Sequence, residues 1–124
     1  MNWADYPNFN EDEFRCRHSG LLQMQPEFMA RLQRLRQAFA APMRVTSGYR
    51  HHTHPIEAAK AVPGAHSTGR AVDVGVEGAD ALRLIVLAAE LGFTGIGVQQ
   101  KGGGRFIHLD DLGPGWPRPT IWSY

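Results

Sequence analysis

Cysteine is almost absent: Cys16 is the only one in the 124 residues, so no internal disulfide can staple the fold. Stability must come from a packed core, and synthesis in a reducing compartment, the cytoplasm, fits. Long apolar runs are missing too. The best stretch, Leu82 to Leu91, is interrupted by Arg83 and Glu90, so no membrane span is expected. The opening Met-Asn-Trp-Ala-Asp-Tyr-Pro has neither the positive nor the apolar region of a secretory signal. There is no surplus of one charge. The formal net charge is +1 without a basic run, which argues against a nucleic-acid partner, and Arg31, Arg34 and Arg36 read as a solvated helix face.

What remains is ordinary for a globular chain, with 43% hydrophobic and 20% charged residues. A single domain over residues 1–124, acting as a monomer, is expected. Residues 1–25 read as an irregular lead-in anchored by Phe9, Phe14 and Leu21. Pro26 opens a helix whose Phe28, Leu32, Leu35 and Phe39 share one face, and Pro42 closes it. A strand over Met43–Thr46 runs into Ser47-Gly48-Tyr49-Arg50. Residues 51–68 form a polar loop with a short helix over 56–61. The strand Arg70–Gly75 places Ala71, Asp73 and Gly75 on one face. A second helix, 79–91, turns Leu82, Ile85, Val86 and Ala89 inward and stops at Gly92. Strands at 93–98 and 105–109 flank a glycine-rich hairpin. Residues 113–124 are a proline-rich tail ending in an edge strand; its Trp116, Trp122 and Tyr124 suit a sugar-stacking surface, but Trp122 packed on the core is the preferred reading. The fold class is α+β, a small antiparallel sheet packed against two main helices.

His66 and Asp73 are separated by six residues. That spacing does not suit neighbours on one helix face, but it suits a loop residue and a strand residue that converge, with His108 from the adjacent hairpin strand. Two imidazoles and one carboxylate form a zinc ligand set with an open position, the layout of a hydrolase. Each residue also has a separate explanation: a loop histidine, a turn aspartate, a half-buried strand histidine. Spacing alone does not choose between these readings. Arg50 fits either a surface ion pair or an anion anchor. Ser47 and Ser67 suit turn capping as well as ligand contact, and His51, His52 and His54 suit a solvated loop as well as a cleft.

Three segments taken in order carry more information: Ser47-Gly48-Tyr49-Arg50, then His66-x2-Gly69-x-Ala71-x-Asp73, then Phe106-x-His108-x-Asp110. Together they resemble the zinc D-alanyl-D-alanine carboxypeptidase superfamily. That group includes bacterial D,D-carboxypeptidases and dipeptidases and phage L-alanyl-D-glutamate endolysins, and the hedgehog signalling domain shares its fold. The likeness runs from about Phe14 to His108. It implies one Zn2+ ion held by His66, Asp73 and His108, with Arg50 catalytic as the anchor of a substrate carboxylate or carbonyl. Ser47, Ser67 and His54 are further substrate-binding candidates. The implied activity is hydrolysis of amide bonds in peptidoglycan stem peptides, of D,D-carboxypeptidase or endopeptidase type. The implied setting is a phage or prophage product that reaches the cell wall after lysis or within a virion, with phage tail or lysis proteins as partners.

One position departs from that pattern. The dipeptidase and endolysin branches carry an acidic general base three residues before the last histidine, and here Arg105 stands there. Glu57, Asp110, Asp111 or a loop histidine are the candidate replacements. Asp110 is expected chiefly to orient His108, because two residues along a strand it faces the same side. The rival reading, supported by Arg105, is a zinc-containing binding or structural module without turnover, such as a phage tail component.

Overall fold

The computed structural model describes residues Met1–Tyr124. Helix α1 (Pro26–Phe39) has proline in its first turn and ends at Ala40, whose left-handed backbone lets its amide bond the Arg36 carbonyl. The anticipated stripe of Phe28, Leu32, Leu35 and Phe39 is buried, and Met29 and Gln33 widen it. Helix α2 (Pro55–Ala58) is a single turn within the polar loop, shorter than expected. The chain turns back after it so that the Gly64 amide can bond Glu57 at 2.7 Å.

Helix α3 (Gly78–Glu90) presents a different face from the one read in the sequence. Ala81, Leu84 and Ala88 are buried, whereas Leu82 is 64% and Val86 48% exposed. The helix is apolar on nearly every side, so its periodicity offers two competing stripes. The stripe chosen carries two alanines, which let the helix lie close against the core. It also brings Arg83 to the end of α1, where the guanidinium donates to the Phe39 carbonyl at 2.6 Å and covers that ring. A cation at a helix C-terminus is favourable there.

The strands are β1 (Arg44–Ser47), β2 (Ala71–Gly75), β3 (Gly95–Gln99), β4 (Phe106–Asp110) and β5 (Thr120–Ser123), in the order β1-β2-β4-β3-β5. The first four pair antiparallel, as anticipated. β5 runs parallel to β3, so the sheet is mixed and not wholly antiparallel. The register gives the reason. Both edges of β4 are occupied by β2 and β3, and β4 ends with Asp110 opposite Gly95, the first residue of β3. A short return therefore enters β5 with Thr120 beside Gly95 and must run in the direction of β3.

One face of the sheet packs into the core through Val72, Val74, Ile96, Ile107 and Leu109. The lead-in completes that core with two short 3-10 turns capped by the side chains of Asn2 and Asn10. Phe9 and Phe14 are buried as expected. Leu21 is 49% exposed, and Tyr6, Cys16 and Met24 fill the places it was expected to share. The lead-in also steers the Ser47–Arg50 segment, because the Tyr49 amide bonds the Phe14 carbonyl at 2.9 Å.

Candidate metal centre

The opposite face of the sheet carries a row of residues in register: Ser47, Asp73, His108, Gly97 and Trp122, one from each strand. Residues paired across strands share a face, so the row brings Asp73 and His108 side by side. The third member, His66, comes from the 3-10 turn Ala65–Thr68, whose carbonyl at His66 accepts the Arg50 amide at 3.2 Å. His66 Nε2, Asp73 Oδ1 and His108 Nδ1 form a nearly equilateral triangle, with edges of 3.2, 3.2 and 3.3 Å. All three residues are buried.

The outward nitrogens of the two rings decide what sits on the triangle. His66 Nδ1 lies 2.8 Å from the Gly48 carbonyl, which can only accept, so Nδ1 carries the proton. His108 Nε2 lies 2.7 Å from Asp110 Oδ2 and donates to that ionised carboxylate. When both rings are neutral in these tautomers, two imidazole lone pairs and one carboxylate oxygen converge, an arrangement that repels itself unless a proton or a metal cation occupies it. Ligands about 2.0–2.1 Å from a tetrahedral ion stand about 3.3–3.4 Å apart, which the triangle matches. The donor set fits a divalent metal ion with a fourth position facing outward.

The charges around this set are organised as a relay. Asp110 has no exposed surface, and Arg118 grips both its oxygens, Nε to Oδ1 and Nη2 to Oδ2, each at 2.8 Å. Burial alone would raise the Asp110 pKa, but Arg118 and His108 outweigh it and hold the group at about 2. Asp73 is likewise held well below the carboxylate range, its burial overcome by the two histidines. Burial pulls the His108 pKa down, and Asp110 and Asp73 together raise it above its ordinary value. The Asp110 carboxylate thus sits behind His108 with both oxygens engaged, Oδ1 by Arg118 and Oδ2 by Arg118 and His108.

Arg50 reaches the rim of the centre, its Nη2 3.6 Å from Asp73 Oδ2 and its Nη1 3.4 Å from Glu57 Oε2. Glu57 is buried and also receives the Gly64 amide and Lys60 Nζ, at 2.7 and 3.1 Å. Its pKa is lowered, because the Gly64, Lys60 and Arg50 donors together overcome the effect of burial. Ser67 Oγ donates to the Arg50 carbonyl at 2.7 Å, so it ties the loop to the Arg50 segment. Ser47 shares the register row with Asp73 but does not line the cavity. His54 also stays off the cavity wall, and its Nδ1 accepts the Ile56 amide as the cap of α2.

A cavity of about 610 Å³ opens over the triangle, and Asp73 is the only carboxylate lining it. Of the candidate replacement bases, Glu57 and Asp110 are engaged as described, and Asp111 is held by Arg70 at 2.9 Å. Arg105 lies elsewhere, bonded to the Gly102 carbonyl and 3.8 Å from Glu77.

The last segment supplies further wall residues: Trp116, Trp122 and Tyr124, the aromatics whose sugar-stacking reading was set below core packing of Trp122, and Arg118, which sequence reasoning missed. Trp122, expected in the core, instead leans across Gly97 until its ring lies 5.0 Å from that of His108. A Cβ on Gly97 would meet the Trp122 indole at 2.8 Å, and one on Gly95 would overlap the Asp110 carboxylate and the Arg118 guanidinium. The signal was the alternation Gly95-Ile96-Gly97-Val98, which leaves the site face of β3 bare while the core face stays apolar.

A family model described as Peptidase M15 matches residues 7–110 of this chain. Comparison with curated proteins and with solved structures returned no match.

Proposed function

Because the chain belongs to the Peptidase M15 family, and so to the metallopeptidases, we propose that it is a zinc-dependent peptidase hydrolysing amide bonds in peptidoglycan stem peptides. The reaction is of D,D-carboxypeptidase or endopeptidase type. The observation that carries this reading is the buried triangle of three acceptor atoms with edges of 3.2–3.3 Å and an open side toward the cavity.

His66, Asp73 and His108 are the ligands in this reading. Zinc, when bound, supplies Lewis acidity that polarises the scissile carbonyl and lowers the pKa of a water toward about 7. The protein supplies position. The Gly48 carbonyl fixes the rotation and tautomer of His66, and the Asp110–Arg118 pair does the same for His108. Arg50, braced between Asp73 and Glu57, presents donors to a substrate carboxylate or carbonyl and so aligns the amide before attack. No helix is long and apolar enough to cross a membrane. The setting we attach to this reading is a phage or prophage product that meets the wall after lysis or within a virion.

A second reading, a metal-holding binding or structural module such as a phage tail component, draws on one observation. Arg105 stands in place of the acidic base, and the other carboxylates near the centre are all held by cations.

The deciding experiment is release of amino groups from purified peptidoglycan and short stem peptides, comparing wild type with His66→Ala. Cleavage that chelator abolishes and zinc restores, and that the variant lacks, identifies the peptidase and its bond. Stoichiometric zinc without cleavage of any wall peptide selects the binding module.

A further inference from the structure

The family match ends at residue 110, yet the segment beyond it builds one side of the cavity. On β5, Trp122 fills the space left by Gly97, and Tyr124 stands with its ring 5.1 Å from that of Phe106 on β4. Trp116 joins them at the mouth, its ring 5.8 Å from the Arg118 guanidinium. The other side of the cavity comes from the β1 end of the sheet, where Arg50 follows β1 and Lys60 follows α2. The metal triangle lies between the two, on β2, β4 and the His66 turn.

Three cations line the cavity, matched by one carboxylate on its wall and two behind it. Arg50, Lys60 and Arg118 balance Glu57, Asp73 and Asp110, so a divalent ion on the triangle leaves its whole charge uncompensated. Arg50 and Lys60 share one carboxylate, Glu57, and Lys60 keeps 43% of its side chain exposed, with donors to spare toward the cavity. A ligand that completes this site brings negative charge to the cationic side and a flat surface to the aromatic side.

We propose that residues 116–124 form a specificity-determining wall. In this role the cavity selects peptides that carry a free carboxylate toward Arg50 and Lys60 and present a flat, C–H-rich face to Trp122 and Tyr124. A sugar ring and an apolar side chain both offer such a face, and aromatic rings stack on either. The volume of about 610 Å³ suits a ligand of this size. The inference rests on the peptidase reading only in taking a peptide as the ligand.

The test is calorimetric titration of the zinc-loaded protein with matched dipeptides, each prepared as free acid and as C-terminal amide. The N-terminal group is N-acetylmuramyl in one set, phenylalanyl in a second and acetyl in a third. The acid should bind about tenfold or more tightly than the amide, since a charge-assisted bond is lost in the amide. A ring-bearing ligand should bind about tenfold more tightly than the acetyl one, and the first two sets tell whether the face is a sugar or an apolar side chain. Trp122→Ala should erase the ring preference and keep the acid preference, and Lys60→Met should weaken the acid preference alone. Tyr124→Ala repeats the first comparison at a side chain 57% exposed, where folding is not at stake.

Equal binding of acid and amide, a ring preference that survives both aromatic substitutions, or no binding by any ligand would each overturn the proposal. Amino-group release is followed in the same samples. Hydrolysis without either preference leaves the peptidase standing and removes the wall's role. Both preferences without hydrolysis do the reverse.

Discussion

At the scale of single residues, Arg118 and Glu57 brace the residues around the centre, Arg118 from the cavity wall and Glu57 from behind it. Arg118→Ala leaves the Asp110 carboxylate buried and without its bidentate partner. Breaking one side of such a pair costs about 3–5 kcal/mol, and loosening the carboxylate behind a ligating histidine lowers metal affinity about 10–100-fold. Chemical unfolding and competition with a zinc-sensitive dye measure the two effects separately. Unchanged zinc affinity in a folded variant would show that His108 is oriented by something else. Glu57 makes a pH prediction. Its folded pKa is depressed below its unfolded value, so its contribution to stability is complete above the ordinary carboxylate range. That contribution is lost as pH falls below about 4 and through the folded pKa. Glu57→Gln should cost about 1–3 kcal/mol at neutral pH, and its stability should fall less steeply than wild type on acidification. Parallel unfolding curves for the two proteins across that window would contradict the assignment.

At the scale of elements, the two long helices test how far periodicity can be read. In α1 the apolar residues occupy one stripe, so Phe28, Leu32, Leu35 and Phe39 could be placed inward without the fold. In α3 the leucines, isoleucine and valine surround the helix, and only the packing partner chooses among them. The observed face predicts that Leu84→Ala costs about 2–5 kcal/mol. Leu82→Gln, at an exposed position, should change stability by less than about 0.5 kcal/mol. A large loss at Leu82 would restore the face read from the sequence. The same contrast explains the site. His66, Asp73, His108 and Arg50 sit in three segments whose order resembles a known family, and that resemblance, not their spacing, singled them out. Arg118 and Trp122 sit in a proline-rich segment without a period, and their positions follow from the register of β5 on β3, which no single strand encodes. Gly97→Val tests that register. The added side chain must displace the Trp122 indole, so near-ultraviolet circular dichroism should change while far-ultraviolet signal from the helices is kept.

At the scale of the whole molecule, the question is whether the metal holds the fold or the fold holds the metal. The core cluster includes α1, α3, the lead-in and the inner face of the sheet, and none of its residues is a ligand. Two of the three proposed ligands lie on central strands already paired on both edges, and the third is tied to the Gly48 carbonyl. A metal-free chain should therefore remain folded, unlike a small zinc finger whose ligands are most of its structure. It should also be less stable, because three acceptors at 3.2–3.3 Å repel once the cation is removed. Zinc in excess of its dissociation constant by about 1,000-fold adds about 4 kcal/mol through binding to the native state alone. Thermal unfolding with chelator and then with zinc should give two cooperative transitions separated by several degrees, and His66→Ala should abolish the separation. Loss of helical signal on chelation would mean that the metal builds the fold. Identical transitions would mean that the triangle holds no zinc, since a ligand bound to the native state must raise the midpoint.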